Sequence, residues 1–193
     1  TYLVHSPPNF FGIGISGINW NTSLVPLQVD NNKRDNVFDI QACIDAINYA
    51  TYSYTTDNPI RIINLSLETK YQNDDFEEAI RNYPGLIICG AGNDQLDLDD
   101  ENIYRYPAFY GSGRCENPVD NIIVVGALDQ SGNRSIWKNW LGFIEGASNY
   151  GETTVDIYAP GSDIISTFSP SPLYENLDGT SMAAPFVTGV AAL

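Results

Sequence analysis

The chain has 193 residues, with 24 Asp and Glu against 9 Lys and Arg, one histidine, and a formal charge of −15 at pH 7. A charge this negative argues against nucleic acid as a partner, because counterion release needs clustered Lys and Arg, and it disfavours an anionic membrane surface. No run approaches the roughly 18 consecutive apolar residues of a bilayer span, so the expectation is one globular domain over residues 1–193, with no membrane association.

In chain order, residues 24–29 read as a strand. Asp39 then stands where a helix N-cap belongs, with Ile40, Cys43, Ile44 and Ile47 following at helical spacing up to Ala50. Residues 60–67 form a second, strongly apolar strand. Residues 74–82 read as a helix whose first-turn acids complement the macrodipole, and Pro84-Gly85 ends it. Residues 86–89, 122–126 and 155–159 are three more short apolar strands. Continuous apolar strands separated by helices predict an α/β fold: a doubly wound, mostly parallel sheet with helices on both faces. Residues 180–193 open an apolar, small-residue helix with no closing Gly, basic turn or Pro. The expectation is a domain truncated at both ends.

Three polar features are weaker signals. Cys43, Cys89 and Cys115 have no zinc spacing, and the first two suit buried thiols better than a disulfide to a neighbour. Residues 94–101 hold five acids (Asp94, Asp97, Asp99, Asp100 and Glu101) but miss the EF-hand pattern, which favours a solvated loop over a Ca²⁺ site. Asn21, Asn64 and Asn133 open glycosylation patterns, but Asn64 falls inside a predicted buried strand, so the matches read as chance.

Two segments carry chemistry. Gly179-Thr180-Ser181-Met182-Ala183-Ala184-Pro185 puts a serine at a helix start, beside unpaired backbone N–H groups and the positive end of the dipole. That suits a nucleophile whose attack creates an oxyanion, although helix-start serines more often serve as N-caps. Ala183 replaces the second glycine of the G-x-S-x-G elbow, which excludes an α/β-hydrolase. Cys89-Gly90-Ala91-Gly92-Asn93 follows directly on a strand. Its glycines permit close ligand approach at the strand's carboxyl end, and Asn93 has an amide able to donate to an oxyanion.

With these in place, the chain resembles the subtilisin-like serine proteases. The resemblance is carried in order by residues 14–21, Ile63-Asn64-Leu65-Ser66-Leu67, Ala91-Gly92-Asn93, Tyr106-Pro107-Ala108, Val124-Val125-Gly126-Ala127, Ser148-Asn149-Tyr150-Gly151, Tyr158-Ala159-Pro160-Gly161 and the Ser181 segment. It implies a peptide or protein substrate, with Ser181 as nucleophile and Asn93 and the Ser181 N–H as the oxyanion hole. Ser66, Leu67 and Glu68 would pair with an extended peptide as an added strand. Gly90, Ala91 and Gly92 would line the pocket for the residue before the scissile bond, with Thr180 beside them. A second substrate wall is expected at residues 32–36. Glu68 stands where family members often have glycine, which would favour basic substrate side chains.

The resemblance also exposes gaps. The sequence contains neither the Asp-[Ser/Thr]-Gly nor the His-Gly-Thr motif. His5, followed by Ser6-Pro7-Pro8, reads as a surface loop residue, and Lys33, Lys70 and Lys138 sit in no recognisable base motif. The catalytic histidine is therefore expected upstream of Thr1, and the chain alone is expected to be inactive. The alternative is a catalytically dead peptide-binding module. No cofactor is expected. Calcium is not supported, because Phe11 stands at the family's Asn position with Asn9 two residues earlier. Secretion follows from the resemblance alone.

Overall fold

In the computed structural model, residues 15–30, 38–139, 141–168 and 173–193 are described. Helix α1 (Ile40–Ser53) starts where Asp39 accepts the N–H groups of Gln41 and Ala42, at 2.8 and 3.3 Å. These are two of the donors a helix start leaves without an internal acceptor. Its buried residues Cys43, Ile44, Ile47 and Ala50 form one stripe. Strand β1 (Ile62–Leu65) leads into α2 (Asp74–Asn82). Asn73 caps α2 by accepting the Phe76 N–H at 2.8 Å, and Asp74, Asp75 and Glu77 occupy the first turn. Strand β2 (Leu86–Gly90), the short α3 (Ala108–Gly111) and β3 (Ile122–Leu128) follow. A hairpin of β4 (Ile136–Lys138) and β5 (Ile144–Ala147) precedes β6 (Ile157–Pro160). A second hairpin, β7 (Ile164–Thr167) with β8 (Tyr174–Leu177), leads to α4 (Thr180–Ala191).

The sheet runs β1-β2-β3-β6 with every pairing parallel. Leu65 lies opposite Cys89, and Gly90 opposite Val125. Side chains alternate between faces along a strand, and that alternation divides the core. Ile87, Cys89 and Val124 pack with the stripes of α1 and α2, including Ile44, Ile47, Phe76 and Ile80. Ile88, Val125, Ala127 and Ala159 pack with Ala183 and Ala184 of α4. Helices therefore cover both faces, and the predicted doubly wound parallel sheet is the observed one.

The small residues of α4 allow this close approach. A Cβ on Gly189 would stand 2.9 Å from the Ile18 Cβ, so residues near Ile18 press on the end of the helix, and the Asn19 amide donates to the Ala192 carbonyl.

Residues 24–29 are not a strand. Pro26 has no N–H for a ladder, and Leu24, Val25 and Leu27 are exposed. The segment is tied instead by the Asp39 N–H to the Val29 carbonyl at 2.7 Å and by an isolated Asp30–Phe38 bridge. All three cysteines are free thiols. Cys43 and Cys89 are buried, and burial pushes the Cys43 thiol up to about 11.

Candidate active site

The parallel sheet brings the ends of β1 and β2 beside the start of α4. Gly179, at φ +147°, takes a conformation that L side chains rarely adopt, and α4 begins directly after it. Ser181 is thus the second residue of a helix, among N–H groups with no intrahelical partner. Its Oγ donates to the Ser66 carbonyl at 3.3 Å, and the Ser66 Oγ donates to the Ser181 carbonyl at 2.9 Å. This reciprocal pair fixes the serine to the end of β1. Behind it, the Asn64 amide donates to the Ser66 Oγ, and the Asn64 oxygen accepts from Thr188 of α4, each at 2.9 Å. Asn64 is therefore committed to an internal network.

Thr180 is 2% exposed and faces the loop after β2. Its Oγ1 accepts the Gly92 N–H at 3.0 Å and donates to the Asn93 Oδ1 at 3.1 Å, and its own N–H donates to the same oxygen at 3.0 Å. Both bonds engage the amide oxygen of Asn93, so Nδ2 is left as the donor end of an exposed side chain. The Thr180 side chain, expected beside the substrate pocket, is thus engaged with Gly92 and Asn93 and orients the Asn93 amide.

Gly90, Ala91 and Gly92 are all buried. A Cβ on Gly90 would come 2.8 Å from the Thr180 Oγ1, so glycine there serves packing against α4. Asn149, 0% exposed, clamps the loop from below. Its Nδ2 donates to the Ala91 carbonyl at 2.8 Å, while its Oδ1 accepts the N–H groups of Asp94 and Leu96 at 3.0 and 2.8 Å. The sequence offered Asn149 only as part of a family segment; its signal was a strongly polar residue among buried neighbours.

The carboxylate of Glu68 rests against Gly92. Its Oε2 lies 3.7 Å from the Arg105 Nε, and Arg105 donates to Asp94 at 2.7 Å and to the Tyr104 carbonyl at 3.0 Å. Burial raises the Glu68 pKa, and Asp94 adds to this; Arg105 and Lys70 pull the other way without cancelling it. Sequence reasoning placed a charge at Glu68 but missed Arg105, the cation it faces. Glu68 also lines a cavity of about 460 Å³ with Phe38, Ile40, Thr69 and Tyr71.

The acids of residues 94–101 are directed to separate partners. Asp94 meets Arg105, Asp97 accepts the Asp99 N–H at 3.0 Å, and Asp99 accepts from Thr153 and Thr154 at 2.7–3.1 Å. Among the described residues no group of three His, Cys, Asp or Glu converges as a metal site. His5, Asn9, Phe11, Lys33 and the expected wall at residues 32–36 lie outside the described residues. Among the described residues, no helix is long and apolar enough to cross a membrane.

The model of the subtilase family matches residues 6–193. The chain belongs to the subtilase family. It is 30% identical to subtilisin DY of Bacillus licheniformis over 182 residues, 93% of this chain and 56% of that protein. It is 35% identical to the thermophilic serine proteinase of Bacillus sp. strain AK1, covering 93% of this chain and 37% of that protein. Thermitase of Thermoactinomyces vulgaris is 32% identical, with 93% and 54% covered. The chain thus spans about half the length, or less, of these curated relatives. Its parallel sheet with helices on both faces is the α/β arrangement of a subtilase.

Proposed function

We propose that this chain is the nucleophile-bearing part of a subtilisin-like serine endopeptidase. The observation that carries the reading is the junction at the start of α4. There Ser181 is held to Ser66 in a reciprocal pair, while Thr180 grips the oxygen of Asn93 and leaves its N–H₂ as donor.

In the proposed reaction the Ser181 Oγ attacks a peptide carbonyl carbon. The carbonyl electron pair moves onto oxygen, where Asn93 Nδ2 and the Ser181 N–H receive the charge. Collapse breaks the C–N bond, leaving an acyl group on Ser181 and an amine that takes a proton; water then releases the acyl group. The substrate lies along Ser66, Leu67 and Glu68 as an added strand, its carbonyl directed to the loop at Gly92 and Asn93.

The proton acceptor for the Ser181 hydroxyl is expected from a histidine and an aspartate in the full-length protein. The 193-residue chain alone is accordingly inactive, retaining at most the roughly 10³–10⁴-fold acceleration over water that an oxyanion hole and binding give without a triad. Steady-state peptide hydrolysis tests this. The full-length protein cleaves and its Ser181→Ala variant does not, while the 193-residue chain shows negligible turnover. Robust hydrolysis by the short chain would contradict the reading. Export of the full-length protein, proposed from the family resemblance, is tested by its distribution between cells and medium.

A further inference from the structure

We propose that Glu68 and Arg105 fill the pocket that receives the substrate side chain before the scissile bond, so that the site takes Gly, Ala or Ser there. The inference rests on the reading of residues 66–68 and 90–92 as the two walls of that pocket.

Gly92 has φ +98°, and its Cβ direction points into the Glu68 carboxylate and the Asn149 amide. The face it would turn to a ligand side chain is therefore covered by the chain itself. Behind the carboxylate stands Arg105, 9% exposed and anchored to Asp94 and the Tyr104 carbonyl. Glu68 Oε2 and Arg105 Nε are both sealed from solvent and neither has a hydrogen-bond partner. At 3.7 Å they attract as charges but lie too far apart for a hydrogen bond. The Glu68 carboxylate thus lies against the Gly92 wall, with the Arg105 guanidinium facing it from behind.

Each kind of large side chain then meets a specific penalty. A large apolar group displaces Glu68 and leaves the buried Arg105 guanidinium against hydrocarbon. A cationic group competes with Arg105 for the same two carboxylates. An acidic group adds a third negative charge beside Glu68 and Asp94, with Arg105 the cation packed against them and Lys70 near Glu68. A side chain of one or two heavy atoms avoids all three.

The test uses product-like peptides of one sequence ending in Ala, Phe, Arg or Glu. Each is titrated into the full-length protein and followed by the amide resonances of Gly92 and Asn93. The Ala-ended peptide is expected to bind at least about tenfold tighter than the other three, the scale on which pocket fit discriminates side chains. In a Glu68→Ala/Arg105→Ala variant the Phe-ended peptide is expected to match or overtake it. Should that variant fail to fold, the ranking on the unmodified protein decides alone. Equal or tighter binding of the Phe, Arg or Glu peptide, or no perturbation by any peptide, overturns the proposal. Hydrolysis by the full-length protein is scored separately. The Ala ranking without any hydrolysis would remove the protease reading and leave this one standing, whereas preferred cleavage after Phe would do the reverse.

Discussion

Among the described residues the Asn93 side chain is anchored through its oxygen, which leaves Nδ2 for the oxyanion role proposed above. Asn93→Ala in the full-length protein is expected to lower kcat by about 10²–10³-fold with KM little changed, since the donor acts on the developing oxyanion. Thr180→Val keeps the shape but removes the acceptor for the buried Gly92 N–H. It is expected to cost about 1–3 kcal/mol of stability by urea denaturation, because a buried donor is left unpaired. At Asp99, partial burial raises the carboxyl pKa, but hydrogen bonds from Thr154 and Thr153 outweigh it, and the net shift is downward from 3.8. A carboxyl with a lowered folded pKa stabilises the fold above its unfolded value and loses that contribution as pH falls through the folded value. The melting temperature of the Asp99→Asn variant should therefore approach that of the unmodified protein as pH drops below 3.8; a gap that stays constant down to pH 2 would contradict this. Ser181 and Asn93 stand out in the sequence because each sits in a compact local segment, and the structure brings the two segments together through Thr180. Arg105 and Asn149 do not, because their roles come from contacts distant in sequence, Asn149 meeting Ala91 across 58 positions.

Among the elements, those with strong periodicity and a clear cap were legible. The sequence placed α2 at residues 74–82, its observed extent, because the acids of its first turn and Pro84-Gly85 mark both ends. Asn73→Ala is expected to cost about 1 kcal/mol in thermal or urea unfolding, through loss of the cap to Phe76. The hairpins β4–β5 and β7–β8 escaped notice because strands of three or four residues are too short to show period-two alternation. Residues 24–29 had the composition of a strand, yet Pro26 and the lack of burial decided otherwise. In β3, Gly126 lies under the Tyr158 ring with no room for a methyl group. Gly126→Ala is expected to destabilise by about 1–3 kcal/mol, the usual cost of overpacking, with a lower urea midpoint as the readout.

At the scale of the whole molecule, the parallel sheet explains why the site forms where it does. Strands β1 and β2 deliver Ser66 and the 90–93 loop at their carboxyl ends, where open α/β sheets place ligands. Helix α4 packs Ala183 and Ala184 against Ile88 and Val125 and so brings Ser181 to the same edge. The charge of −15 does not by itself select a partner. The most direct test of Ser181 as nucleophile is reaction of the full-length protein with a fluorophosphonate, the adduct located by mass spectrometry. The expected result is one adduct on Ser181, lost in Ser181→Ala and strongly slowed in the 193-residue chain. An unlabelled Ser181 in the folded full-length protein would contradict the account.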